Sequence, residues 1–300
     1  MTSKKTSGAA GGSDGGPRDA GSPKDSHYAR LRRAYRDTKA DDGSQKRDAP
    51  RKRKEGSGPP LPPDRVHLYG LHTVRAALDN PARKILSMRV TRNALARLEV
   101  EDTAALPFPV EMVAPGAIDD LLGDDAIHQG VVVEANALPL RRLADLKDSP
   151  LLLVLDQVTD PHNVGAIMRS AVAFGAGAVI TTQRHSPTES GVMAKSASGA
   201  LELIPYIQIT NLAEAIGELQ ALGFLTLGLD SEADGPLEAK LAGERIALVL
   251  GAEGKGLRQK TRDTVDGLVR LDMPGAIKSL NVSNAAAIAL YAAHRHLQVS

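Results

Sequence analysis

The chain has no cysteine among its 300 residues, so disulfides, thiolate nucleophiles and cysteine-held zinc or iron–sulfur centres are all excluded. Nor does it hold an unbroken run of about eighteen apolar residues, the length a helix needs to cross a bilayer. The opening stretch MTSKKTSGAAGGSDGGPRDA lacks the apolar centre of a signal peptide. Together these absences point to a cytoplasmic protein with no membrane partner, whose chemistry rests on oxygen, nitrogen or a borrowed cofactor; no metal is expected as partner.

An excess of positive charge is confined to one end. The net charge of +1 divides into 15 Lys+Arg against 8 Asp+Glu in residues 1–63 and 22 against 28 in the rest. The tail is basic; the body is not. Rich in Gly, Ser, Pro and Lys/Arg, residues 1–63 cannot offset the entropy of ordering and are expected to be disordered. Such a tail either keeps the protein soluble or grips phosphate non-specifically, and a phosphate grip would weaken with salt.

What the body does have is alternation, and its hydrophobic content of 42% is enough for one large or two medium cores. From residue 64, VHLYG, KILSMRVT, FPVEMVA and QGVVVEAN read as strands, with LHTVRAALDN, NALARLEV and GAIDDLLG as helices between them. That makes a small α/β domain over 64–137. Residues 138–150 read as a linker with room for one short helix. A second series fills 151–300, with strands expected at 151–155, 178–182, 204–209, 224–229, 246–250 and 268–272. Its helices are expected near 163–174, 211–222 and 280–297. Unbroken apolar strands such as IALVLG suit a parallel sheet covered on both faces.

Three segments of this second unit carry groups fit for chemistry. In LLLVLDQVTDPHNVGAIMRSAV a strand meets a helix through a polar loop, where open α/β sheets gather ligands. Asn163 suits the helix N-cap, and Arg169 follows nearly two turns later. Read alone, the segment is explained somewhat better by a cap and a surface arginine than by a site. IALVLGAEGKGL runs a buried strand into Gly251, Glu253, Gly254 and Gly256. Glycines there let the backbone approach a ligand. It is neither a Walker A loop nor a dinucleotide fingerprint, since Lys255 is followed by Gly256 and the glycine order is reversed. In PGAIKSLNVSNAAAIALY, Ser279 or Asn281 can cap the helix that follows. A cap needs one polar side chain, and Ser279, Asn281, Ser283 and Asn284 supply four.

Together the three segments resemble the three ordered motifs of the SpoU (TrmH) family of RNA ribose 2′-O-methyltransferases, in the SPOUT superfamily. YGLHTVRAAL and IHQGVVVE resemble the small substrate-binding domain of its RlmB branch, which modifies guanosine in large-subunit ribosomal RNA. The resemblance implies a C-terminal trefoil-knotted α/β domain after a small α/β RNA-binding domain, with S-adenosylmethionine as cofactor, RNA as substrate and a homodimer. By motif position it assigns Gly251, Leu271 and Leu280 to the cofactor, and Asn163, Arg169, Glu253, Ser279 and Asn281 to the reaction site. A tRNA ribose methyltransferase and a non-catalytic RNA-binding protein of the same fold remain the alternatives.

Overall fold

The computed structural model describes residues 61–139, 141–143, 146 and 149–299. The expected disordered tail therefore lies outside the described residues except for 61–63.

The first sheet contains β1 (Arg65–Tyr69), β2 (Ile85–Val90), β3 (Val110–Met112) and β4 (Val131–Asn136). Its order is β1-β4-β2-β3, with β4 antiparallel to both neighbours and β2 parallel to β3. The apolar run VVVEAN becomes the inner strand β4, which buries Val131, Val132, Val133 and Ala135. Helices α1 (Leu71–Asp79), α2 (Arg92–Arg97) and α3 (Pro115–Leu122) fall on the expected helical stretches.

The second sheet is parallel throughout, in the order β10-β8-β9-β5-β6-β7. Its strands are β5 (Leu151–Asp156), β6 (Val179–Thr182), β7 (Tyr206–Ile209), β8 (Leu225–Leu229), β9 (Ile246–Gly251) and β10 (Gly267–Val269). Alternation sorts each inner strand between two cores. Leu151, Leu153 and Leu155 of β5 join one core, while Leu152 and Val154 join the other. Ile246, Leu248 and Leu250 of β9 divide from Ala247 and Val249 in the same way. Helices α4 (Pro161–Ala173), α5 (Gly191–Ala197) and α9 (Val282–Val299) cover the first face, and α6 (Leu212–Ala221) covers the second. Two short helices, α7 (Leu237–Lys240) and α8 (Gln259–Thr264), complete the set among the described residues.

The short helices α7 and α8 are not among the expected ones, and two further elements depart from the sequence pattern. The strand expected at 268–272 ends at Val269, and beyond it Arg270 makes only an isolated bridge to Pro236. Helix α5, which GVMAKSA does not announce by periodicity, is capped by Ser190, whose hydroxyl accepts from Met193 N. Packing against α4 does the rest. A Cβ added at Gly165 would stand 2.3 Å from Met193 O, so glycine is what lets the two helices touch.

The smaller sheet is fastened to the larger one rather than hung from it. Both lie in one compact unit, and one hydrophobic core runs from Val66, Leu68 and Val133 through to Leu153 and Ile167. Thr73 Oγ1 of α1 donates to Ala194 O of α5 at 3.2 Å. Gln129 Oε1 accepts both Leu71 N at 3.1 Å and Lys195 Nζ at 2.8 Å. On the other flank the Arg83 guanidinium, with no exposed side-chain surface, donates at 2.6 Å to both Glu189 and Glu202. Asn80 Nδ2 and Leu138 N take the second oxygens of Glu202 and Glu189. A buried ion cluster so fully bonded fixes geometry, and losing one partner would cost about 3–5 kcal/mol. The expected linker also docks in part: Arg141 pairs with Ile207 at the sheet edge.

Candidate active site

β5 and β9 lie side by side and end together, Asp156 opposite Gly251. The loops leaving these two ends, and the segment entering α9, meet beyond the sheet's carboxyl edge. Asp156 is fully buried and holds the β9 side in place: Arg258 Nε donates to it at 2.7 Å, Thr261 Oγ1 at 2.7 Å and Arg258 N at 3.1 Å. The chain between doubles back through an Ala252–Gly256 bridge, folded so tightly that a Cβ on Gly251 would fall 2.1 Å from the carbonyl carbon of Gly256.

On the β5 side the expected cap is corrected. Helix α4 begins at Pro161 and its N-cap is Asp160, whose carboxylate accepts His162 N. Proline suits the first helical position, because its missing N–H would have had no helical partner. Asn163 is thereby displaced into the first turn, and its amide is released from capping. The α9 end follows the expectation of one cap among four polar groups: Asn281 Oδ1 accepts Ser283 N at 2.9 Å.

Glu253 binds these three segments together. Its Oε1 accepts from Asn281 Nδ2 at 2.6 Å, Val282 N at 3.1 Å and Asn163 Nδ2 at 3.2 Å. Asn281 Nδ2 also donates to Asn163 Oδ1 at 3.0 Å. Charge-assisted bonds of this kind are stronger than neutral ones, and both Asn side chains are fixed by them. Among the described residues Oε2 of Glu253 has no partner. A cavity of about 260 Å³ opens beside the cluster, lined by Asn163, Glu253 and Val282 with Gln157, His185 and Lys255. Sites for whole drug-sized ligands run about 300–1,000 Å³, so this cavity by itself is a small one.

The remaining candidates stand apart from that cavity. Six residues at about 100° each carry Arg169 about 120° around α4 from Asn163. It is exposed, and among the described residues nothing pairs with its guanidinium. Ser279 and Leu280 are exposed on the irregular run before α9, Leu280 at 40%, beside the still more exposed Ile277. Leu271 is half-buried against the core. Gly251 sits at the strand end itself. The structure thus joins Asn163, Glu253 and Asn281 directly and leaves Arg169, Ser279, Leu271 and Leu280 outside the cavity.

Gln157 and His185, which the motifs do not single out, both line it, and both have left-handed backbones, with φ of 62° and 65°. Non-glycine residues seldom hold that conformation, and those that do concentrate at functional sites. No sequence signal marks them, since neither residue type demands positive φ.

A parallel sheet with a polar cluster drawn from three distant segments at its carboxyl edge defines an α/β protein with a ligand site in the usual place for its class. Residues 150–291 match the SpoU rRNA Methylase family, and residues 67–140 match a second family, described as RNA 2'-O ribose methyltransferase substrate binding. The 23S rRNA (guanosine-2'-O-)-methyltransferase RlmB of Ralstonia nicotianae is 43% identical over 241 residues, covering 77% of this chain and 96% of that protein. Its namesake in Salmonella typhimurium is 37% identical over 245 residues, covering 76% and 97%. The fold is shared with the SpoU methyltransferase AviRb of Streptomyces viridochromogenes, with a TM-score of 0.67 at 22% identity over 79% of this chain and 91% of that one. The chain belongs to the SpoU rRNA methylase family.

Proposed function

We propose that this protein is an S-adenosylmethionine-dependent RNA methyltransferase that methylates the ribose 2′-oxygen of a guanosine in 23S rRNA. The cluster of Asn163, Glu253 and Asn281 supports this most directly, because a single carboxylate unites all three segments that resemble the family's motifs. The guanosine and the 23S rRNA rest on the relatives' names and on the match of residues 67–140.

When bound, S-adenosylmethionine supplies an electrophilic methyl group on its sulfonium. Its proposed holders are Gly251, Leu271 and Leu280. The chemistry there fits: a strand end without side chain offers backbone donors and acceptors, and Leu280 and Ile277 expose apolar surface for an adenosine. Asn163 and Asn281, immobilised by Glu253, orient the target ribose at the cavity, where Lys255 is placed to attract its phosphate. Arg169 contacts the ribose and stabilises the developing oxyanion. Guanidinium keeps its proton up to a pH of about 12, so positioning and charge stabilisation are its principal contribution; the 2′-hydroxyl proton is proposed to pass to the carboxylate of Glu253, whose Oε2 has no partner among the described residues. Ser279 helps fix the ribose.

Arg169 faces away from Asn163, and this favours a homodimer in which a second copy completes the site. The exposed Ile288 and Tyr291 of α9, with Phe174 edge-on to Tyr291 at 5.8 Å, offer the contact. The C-terminal segment is proposed to thread a loop of its own chain as a trefoil knot.

Purified protein with S-adenosylmethionine should create one alkali-resistant guanosine in large-subunit rRNA and none in tRNA. Only a methylated 2′-oxygen blocks cleavage at its own 3′-phosphate. A resistant position in tRNA would change the substrate and keep the chemistry, whereas methyl on a base with every ribose labile would end the assignment. Mixing Arg169→Ala and Asn163→Ala proteins should restore activity if each site draws on both copies.

A further inference from the structure

A second cavity, larger than the proposed catalytic one, stands apart from it. It holds about 860 Å³, lies between the two sheets, and has Asn80, Glu189 and Glu202 of the buried Arg83 cluster in its wall. That volume is ample for a nucleotide by the usual range of about 300–1,000 Å³ for ligand sites. The Arg83 ion pairs hold its two sides at a set separation.

One loop serves both cavities. Between β6 and α5, Gln183 and Thr188 line the large cavity while His185 lines the catalytic one. Two residues of chain reach at most about 7 Å, so the walls of the two cavities meet at this loop. The loop is pinned rather than free: Gln183 N donates to Ile209 O at 2.8 Å, Thr182 Oγ1 to Arg184 O at 2.6 Å and Tyr206 OH to Pro187 O at 3.0 Å.

The lining tells what would bind. Gln183, Gln208 and Thr188 present amide and hydroxyl groups that both donate and accept, beside the apolar face of Leu203, which is 70% exposed. Unpaired RNA bases are recognised by hydrogen bonds to their edges while a side chain covers their faces, a cover that Leu203 can supply by apolar packing. Surplus positive charge is small. Arg65 is paired with Glu134 and Arg83 with two glutamates, leaving Arg141, which no ion pair holds among the described residues. A phosphate track would be built otherwise. We infer that this cleft binds one unpaired nucleobase of the RNA substrate, next to the target nucleotide, and thereby helps to select the methylation site. This presupposes ribose methylation at the neighbouring cavity.

The test uses the full chain and an in vitro transcript of large-subunit rRNA, with Gln183→Ala and Leu203→Glu as cleft variants. Leu222→Glu, at a 52% exposed position outside the cleft, is the control. Loss of one neutral hydrogen bond, worth about 0.5–1.5 kcal/mol, should raise the RNA Kd and KM of Gln183→Ala by about 3–10-fold. Its salt slope should equal that of the unaltered protein, since no phosphate contact is lost. Leu203→Glu should weaken RNA binding further, and Leu222→Glu should not. In all three, kcat and S-adenosylmethionine affinity should stay within about twofold, no reacting group being touched. If the unaltered protein methylates RNA and both cleft variants bind it equally well, the cleft proposal is overturned and the enzymatic function stands. If no ribose is methylated yet the cleft variants bind the transcript more weakly, the methylation function falls and the cleft remains an RNA site. Neither methylation nor any cleft effect would overturn both.

Discussion

Glu253 gathers three donors on a single oxygen, so its neighbours depend on it more than it depends on any of them. Glu253→Gln keeps the shape and loses the charge; kcat should fall by about 10²-fold, the scale of removing one positioned catalytic group, with little change in Tm. A drop in Tm with kcat preserved would make the residue structural. Arg169→Ala should abolish methyl transfer and leave S-adenosylmethionine affinity, read by calorimetry, within a few fold, since no described contact joins Arg169 to the proposed cofactor holders. A third residue makes stability depend on pH. His67 of β1 has its pKa lowered, chiefly by burial and slightly by Arg89, with Glu134 opposing. A lowered histidine pKa means the unfolded chain binds the proton more readily, so stability should be full above about pH 6.5 and decline as pH falls towards the folded-state value. His67→Gln should flatten that decline in denaturant titrations at pH 5 to 7, and an unchanged slope would assign it elsewhere.

At the scale of elements, close approach is the recurrent device. Gly165→Val would drive a side chain into Met193 O, 2.3 Å from its first carbon. Overpacking of this kind costs about 1–3 kcal/mol, and because α4 carries Asn163, kcat should fall along with Tm. Gly251→Leu would push against Gly256 and Leu257 N, displacing the loop that carries Glu253. Cofactor affinity should disappear first in calorimetry, and retained affinity would move the pocket. Much of this level was legible beforehand. Strands β5 and β9 declare themselves as unbroken apolar runs because both faces of the sheet are covered, and α6 and α9 keep a helical period. Helix α5 was hidden because tertiary contact, through Gly165 and the Ser190 cap, forms it. The site was legible where its chemistry is local, in the crowding of polar groups before α9. It was illegible where register decides: that Asp160 rather than Asn163 would cap α4, that Asp156 would anchor Arg258 and Thr261, and that Gln157 and His185 would turn left-handed.

For the whole molecule, the shared core and the Arg83 cluster predict one cooperative unfolding transition, with calorimetric and van't Hoff enthalpies in agreement. Two resolved transitions would show that the sheets are independent. Arg83→Ala should cost about 3–5 kcal/mol by leaving two buried carboxylates without their counter-ion. The smaller sheet touches α5, α5 touches α4 through Gly165, and α4 holds Asn163. In native-state hydrogen exchange, the slow amides of β1, α5 and α4 should therefore share a single opening free energy, as segments of one cooperative unit do. If they do, a smaller sheet that opens only together with the helix carrying Asn163 is not a swinging arm that captures RNA and delivers it. The substrate must instead be shaped to fit a jig that is already set, so the protein should choose its RNA by fold before it reads any base.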